Sequence, residues 1–403
     1  MTRNQIFTTI EFINDTIRMV LGEYYNDKFY VYDVFESKCS GLLNGEIVDQ
    51  KIVSDTIKQI RDDINLKHDI LIEDVILSLP SNKLIISTFT SSSPVTGKNS
   101  LISEYDISEA YKVASKVRHD ENQTIVSVVP VEYYLDNGEK MDFAPIRYRS
   151  NTFKTLFNVL LLPNEIFNAY MSIVTSCNLK ILNYFIDGEC LYTGLFDEGN
   201  INCAIVNLNR FNSTMTIFKT GKLLAHYTTN KGSLDIETKV MNTYDVKESD
   251  LDRVVYTLAS ANLSTSNRRA IYKNENYELY KYLNQYQLDE IANGVYDEIF
   301  KDLLAKSSNV FDTNTYDVYL AGKGSNIKDV DKLFTSISGC NSTIISPNHL
   351  CLNNPSFLQT VGLIRLNYRK LMETKVVIET SPIMVETKES KFDKFILDED
   401  ELK

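Results

Sequence analysis

Alternating apolar and polar positions open the chain. Ile6 to Phe12, Arg18 to Glu23 and Lys28 to Phe35 read as three strands joined by Asn14-Asp15 and Asn26-Asp27 turns, which is a β-meander. A polar loop through Gly41 and Gly45 follows, and the period then becomes helical over Asp49 to Asp63, with Ile52, Ile57 and Ile60 on one face. The run Val75-Ile76-Leu77-Ser78-Leu79 predicts a strand buried on both sides. Three strands, a helix and a strand make one α/β half-domain.

After Pro80 the pattern changes. Lys83 to Phe89 predicts a strand, Ser91 to Ser100 a loop, and Ile107 to Arg118 a helix opened by Asp106 or Ser108. Thr124 to Leu135 and Arg147 to Leu162 are strand-rich around an Asp136-Asn137-Gly138 turn; Pro163 begins a helix through Thr175, and Lys180 to Phe185 resumes strand character. An α+β unit is therefore inserted within the first half.

A second meander starts at Cys203. The apolar run Cys203 to Val206 enters the turn Asn207 to Asn212, Ser213 to Phe218 alternate, and Thr220-Gly221-Lys222 leads into Leu223 to Tyr227. From Asp235 to Leu304 the chain is polar and helical, with a Tyr- and Asn-rich stretch at 272–277 and a helix from Asp289 marked by Ile291, Val295 and Ile299. Tyr316 to Leu320 predicts a strand that runs into Ala321-Gly322-Lys323-Gly324-Ser325 and a helix near Asp329 to Ser336. A strand, a Gly-x-Gly turn and a helix can receive a nucleotide at the helix N-terminus.

At 403 residues the chain is long enough for two or more domains. Its formal charge of −12 argues against sequence-independent nucleic-acid binding, because no basic surplus is there to neutralise phosphates. The cysteines Cys39, Cys177, Cys190, Cys203, Cys340 and Cys351 are scattered without C-x-x-C spacing, as reduced thiols of a cytosolic protein are. No apolar run approaches the roughly 20 residues that span a bilayer, and Met1 to Gln5 lacks the start of a signal sequence, so a cytoplasmic protein is expected. No metal site is expected: the four histidines are far apart, and the Asn- and Ser-rich loop with Cys340, His349 and Cys351 announces no ligand geometry. Ser91-Ser92-Ser93 lacks a nucleophile elbow and reads as a solvated loop.

Two α/β halves, each opening on a meander, point to a nucleotide-clamp architecture, and particular segments narrow it. Leu21-Gly22-Glu23, Val128-Val129-Pro130-Val131-Glu132-Tyr133 with the Asp136-Asn137-Gly138 turn, Cys177-Asn178-Leu179-Lys180-Ile181 and Val361-Gly362-Leu363-Ile364 resemble the bacterial cell-division protein FtsA, of the actin-like ATPase superfamily, over roughly Thr9 to Asn367. The resemblance implies an actin-like (ribonuclease H-like) two-domain fold with an FtsA-type inserted α+β subdomain. It implies a subdomain 1A at 1–82, 162–198 and 361–380, the insertion 1C at 83–161, 2A at 199–234 and 315–360, 2B at 235–314, and a linker and tail at 381–403.

ATP and Mg²⁺ are the family's ligands, and the matching positions depart from its pattern. Where the first phosphate loop carries an acid, a small residue, Gly and a hydroxyl residue, this chain has Glu11-Phe12-Ile13-Asn14, with Ile13 for the glycine and Asn14 for the hydroxyl. The second loop's Asp and three glycines become Asn207 and Asn209-Arg210-Phe211. Gly232 keeps one position of another glycine pair, beside Lys231, and Gly322, Gly324 and Ser325 stand at the adenosine-side turn. Side chains in place of glycines block the close approach of backbone N–H groups to phosphate, at about 1.5–3 kcal/mol for each lost charge-assisted bond. Arg210 reads either as a fork replacing the lost cradle or as a solvated turn residue. Glu11 is the one acid left for hydrolysis, because Asn207 cannot hold Mg²⁺ through water as a carboxylate does.

The resemblance implies an adaptor that binds the C-terminal peptide of tubulin-like FtsZ, self-associates into actin-like filaments and sits at the inner face of the cell membrane at the division site, and the departures at its phosphate loops imply no or weak ATPase activity. Arg253, Lys273 and Arg268-Arg269, in the subdomain matching 235–314, are available to an acidic peptide. In the tail, Phe392, Phe395 and Ile396 fall at i, i+3 and i+4, a spacing for peripheral membrane contact, while Asp398-Glu399-Asp400-Glu401 repels anionic lipid. A protein-docking tail is the alternative. Two other readings of the whole chain are an active ATPase with a rebuilt phosphate site and a pilus-assembly or secretion adaptor of the same superfamily.

Overall fold

The computed structural model of the chain describes residues 5–197, 199–273 and 282–380. Phe392, Phe395 and Ile396 lie outside the described residues, as does most of the Tyr- and Asn-rich stretch.

Two five-stranded sheets share one plan. In the first, Lys180–Ile186, Asp74–Leu79, Gln5–Ile13, Thr16–Tyr25 and Lys28–Lys38 are neighbours in that order. The first three are parallel, and the last two fold back as antiparallel hairpins. In the second, Ser342–Ile344, Asp317–Ala321, Cys203–Leu208, Ser213–Lys219 and Lys222–Thr229 repeat the order and directions. Burial explains the strand sequences: Asp74–Leu79 is buried after its first residue and Cys203–Leu208 throughout, as parallel strands covered on both faces must be.

Helix positions follow from caps and periodicity. Gln50–His68 starts where the Asp49 carboxylate accepts from the N–H groups of Lys51 (2.9 Å) and Ile52 (3.1 Å), and it ends at Asp69 in the left-handed region. Its buried stripe is Val53, Ile57, Ile60 and Ile64, while the expected Ile52 is turned to solvent. In the insertion, Ser103 rather than Asp106 or Ser108 caps the helix, which is Glu104–Ala114; Ser103 and Asp106 form a capping box. Asn284 likewise starts Gln285–Ser307 one turn before the expected Asp289.

The insertion is an antiparallel sheet of Ile85–Pro94, Thr152–Pro163, Gln123–Leu135 and Lys140–Met141. Pro130, which has no N–H to donate, sits where the register shifts between Leu156 and Phe157. This sheet is tied to the second half of the molecule. The buried Asn158 amide donates to the carbonyls of Leu223 and Leu224, each at 3.0 Å, and Lys219 reaches Glu132 at 3.2 Å.

Asp187–Leu195 and Leu358–Thr380 are helices that periodicity did not announce. They cross where both have glycine. A Cβ on Gly362 would stand 1.7 Å from the Cys190 carbonyl oxygen, and one on Gly194 would stand 2.0 Å from that of Leu358. The crossing lies between the sheets, and Leu191, Tyr192 and Leu358 share a core with Cys203, Ile205 and Phe218.

Candidate functional site

A cleft of about 620 Å³ opens between the halves. Its walls come from the first hairpin turn (Ile13 to Thr16), the second (Asn207, Asn209, Arg210), the 248–257 segment and the turn at Gly322-Lys323. The topology puts equivalent turns of the two meanders face to face, so residues almost two hundred positions apart meet. Asp15, Glu36, Glu237, Glu248 and Asp252 line it against Arg18, Lys38, Arg210 and Lys323, a balance that does not favour a polyanion.

Arg210 crosses this cleft. Its Nη1 donates to Asp15 at 2.7 Å, and its Nη2 and Nε donate to the Glu237 carboxylate at 2.8 and 3.0 Å. Tyr256 donates to the other oxygen of Glu237 at 2.8 Å and is hydrogen-bonded to Ser233. Burial works against the Arg210 charge, but Glu237 and Asp15 outweigh it and raise the guanidinium pKa further. Arg210 is thus not simply a solvated turn residue: its Nε and one bond from each of Nη1 and Nη2 are engaged by two carboxylates, which compete with any phosphate for the fork. Nearby, Arg18 is held by Glu36 (2.6 Å), the Ser356 carbonyl (2.9 Å) and Thr360 (3.0 Å).

The helix Ser233–Tyr244 points its N-terminus at the same turn, which is an arrangement suited to an anion. Its first donors are already used. Gly232 N–H goes to Asp235 (2.9 Å), Ser233 N–H to the Asn209 carbonyl (3.1 Å) and Leu234 N–H to the Arg210 carbonyl (2.8 Å). Gly232 is glycine for this close approach, since a Cβ would lie 2.4 Å from the Arg210 carbonyl oxygen. The chain's own turn sits on the helix end where a phosphate would.

The other predicted residues divide between lining and support. Asn14, at φ 58°, and Asn207 line the cleft. Gly322, at φ 84°, backs directly onto the Asn207 side chain, and Gly324 is packed on Leu208 beneath the Tyr296 hydroxyl, which donates to its carbonyl at 3.0 Å. Ser325 is buried and donates to the Gly322 carbonyl at 2.7 Å, so it shapes the turn from below. Glu11 is fully buried behind the wall, where Thr360 donates to one carboxylate oxygen at 2.5 Å and the other has no partner. Burial pushes its pKa up, partly opposed by Arg18.

A residue missed by sequence reasoning lies deeper. A recess of about 40 Å³ continues the cleft past Asn14 and Asn207 and is lined by Asn44, Asn82, Asn212 and Asp187. Asp187 Oδ1 is buried without a hydrogen-bond partner, and burial pushes the carboxyl up to about 6 against bonds from Ser81 and the Gly188 backbone. His226 meets the same Ser81 from the second half and bonds Thr216 at 2.8 Å; burial brings its pKa down to about 4. The available signal was an acid at the end of a strand entering a glycine-rich helix, Asp187-Gly188.

ATP with Mg²⁺ requires free backbone donors around the phosphates and an ionised carboxylate for the metal's water shell. Here the helix donors are satisfied internally, Asn207 replaces a carboxylate and Glu11 is buried behind the wall. The residues present do not fit a triphosphate. Among the described residues, no group of three or more His, Cys, Asp or Glu is arranged to hold a metal ion, and no helix is long and apolar enough to cross a membrane.

Paired sheets of this order flanking a central cleft define an actin-like fold, and solved structures agree. The chain is similar to the PilM-PilN type IV pilus biogenesis complex (TM-score 0.62, 12% identity, covering 90% of this chain and 98% of that one). It is also similar to MreB5 of Spiroplasma citri bound to ADP (TM-score 0.53, 12% identity, 93% and 99%) and to the ethanolamine utilization protein EutJ from Carboxydothermus hydrogenoformans (TM-score 0.52, 9% identity, 89% and 88%). In sequence it is similar to the cell division protein FtsA of Bacillus subtilis, at 18% identity over 92% of this chain and 85% of that protein, and to FtsA of Enterococcus faecalis, at 20% over 90% and 84%. No family model matches the chain.

Proposed function

We propose that the chain is a cell-division adaptor of the FtsA type. In this reading it binds the C-terminal peptide of FtsZ, self-associates into actin-like filaments and attaches the division ring to the inner face of the cell membrane, with no or weak ATP hydrolysis. The carrying observation is likeness to curated FtsA proteins over about nine-tenths of the chain. The Arg210 bridge supports a scaffold, because ion pairs already join the two sides of the cleft without a nucleotide between them. The FtsZ peptide would dock on the subdomain 235–314, which carries Arg253, Lys273 and Arg268-Arg269.

The test is calorimetric titration of the purified chain with an FtsZ C-terminal peptide and, separately, with ATP and Mg²⁺. Heat with the peptide and none with millimolar nucleotide is the expected result. ATP-dependent phosphate release that disappears in Glu11→Gln would sink the scaffold reading and establish a rebuilt ATPase, for which Asp187 is the second carboxylate. Likeness to PilM, which covers almost all of that protein, favours a second reading as a pilus-assembly adaptor. Silence toward the FtsZ peptide would turn the assignment to it.

A further inference from the structure

One seam of the inserted unit exposes apolar side chains beside three cations, with Asp136 and Asp142 at its ends. Backbone bonds tie 100–102 to 147–150: Ile102 N–H to the Tyr148 carbonyl (2.9 Å), Arg147 N–H to that of Ile102 (2.8 Å) and Ser150 N–H to that of Ser100 (2.9 Å). Along this seam Leu101, Phe143, Ile146 and Tyr148 are 38%, 54%, 37% and 40% exposed, and the Phe143 and Tyr148 rings lie 6.0 Å apart. Lys98, Arg147 and Arg149 are exposed beside them, and none has an ion-pair partner among the described residues. In a chain of net charge −12, unpaired cations clustered on exposed apolar side chains mark a surface for an acidic, apolar partner.

We propose that this seam docks the chain's own segment 390–403. There Phe392, Phe395, Ile396 and Leu397 are followed directly by Asp398-Glu399-Asp400-Glu401, an apolar cluster and an acidic run in one short stretch. The apolar cluster matches the Leu101, Phe143 and Tyr148 side chains, and the carboxylates match the forks of Arg147 and Arg149. Eleven residues, 381–391, separate Phe392 from Thr380 and would span at most roughly 35 Å if fully extended. Where a linker spans two sites, it raises the effective concentration of one at the other to the ~millimolar range, at which even weak docking is populated. A tail on the seam is withheld from lipid, so docking and membrane contact compete for the same aromatic residues. This inference does not depend on the FtsZ assignment.

The chain has no tryptophan, which makes a single reporter clean. Tyr148→Trp in the full chain is expected to emit to the blue of a solvent-exposed indole and to shift red when Phe392→Ser and Phe395→Ser are added, when residues 398–401 are made Asn and Gln, or at ~1 M salt, where the screening length falls to about 3 Å. Emission that ignores all three changes overturns the proposal. A shift that survives dilution supports docking of each tail on its own molecule, and one lost on dilution overturns this in favour of a neighbour's tail. If the blue shift grows with concentration in the tail variant as well, the seam joins copies directly and the proposal fails. It fails equally if anionic vesicles alone produce the shift whatever the tail.

Discussion

Arg210 and Asp15 stand 195 positions apart in the sequence and 2.7 Å apart across the cleft. With Glu237 on the same guanidinium, the pair joins turns from the two halves of the fold. Arg210→Ala leaves Glu237, whose side chain is 7% exposed, without its cation and is expected to cost about 1–3 kcal/mol. Thermal denaturation of this variant, of Glu237→Gln and of the double variant measures the coupling. Strict additivity would show that the bridge contributes nothing.

The crossing of Asp187–Leu195 and Leu358–Thr380 makes a steric prediction. Gly362→Ala places a methyl group inside the Cys190 carbonyl, a backbone atom that cannot swing away, and should cost about 3 kcal/mol or more. Gly294→Ala, whose Cβ would meet nothing within 4 Å in a helix, should be neutral or stabilising by up to about 1 kcal/mol. Urea denaturation of the two variants compares them directly.

Asn158 secures the inserted sheet to the second half. Asn158→Leu removes both donors to the Leu223 and Leu224 carbonyls and should lower stability by about 1–3 kcal/mol. Hydrogen exchange should quicken at residues 222–229 ahead of the Gln5–Ile13 core, and uniform exchange across both would count against a local latch.

Asp187 and His226 give opposite pH dependences. Asp187, raised from 3.8 to about 6, keeps a proton in the folded state that the unfolded chain releases, so its stabilising contribution is complete below about pH 4 and lost as pH rises through 6. His226, lowered from 6.5 to about 4, is neutral when folded, so its contribution is present above about pH 6.5 and lost as pH falls through 4. Between pH 4 and 6 the two slopes cancel. Relative to the parent chain, the stability of Asp187→Asn should climb from pH 4 to 6 and that of His226→Gln should decline from pH 4 to 6.5, each by about 3 kcal/mol. Chemical denaturation of parent and variants at stepped pH reads both differences, and a difference that stays flat with pH in either variant would contradict the assignment.

Much of the scaffold was legible because its signals are local. The meanders at Ile6 to Phe35 and Cys203 to Tyr227 alternate over a few residues, and the turns at Asn14-Asp15 and Asn26-Asp27 adopt the positive φ that Asn and Asp tolerate. The helix Asp187–Leu195 was hidden because Gly188 and Gly194 lower its propensity, and the facing helix supplies the packing that compensates. Ile52 was misplaced on the buried face because Val53 shares the stripe with Ile57, Ile60 and Ile64 at the i, i+4 step, a choice that packing against the sheet settles.

By itself the sequence determined two α/β halves, an inserted unit and a set of side chains where an actin-like clamp has glycines, since strand and helix periods and glycine's missing Cβ are properties of neighbouring residues. Tertiary structure decided what those side chains do. It turned Arg210 onto Asp15 and Glu237, used the helix donors of Ser233 and Leu234 on the chain's own turn, and left the Asp187 Oδ1 buried without a hydrogen-bond partner beside the cleft. Ion pairing and desolvation depend on which distant groups share a few ångströms, and that is set by how the two sheets face each other.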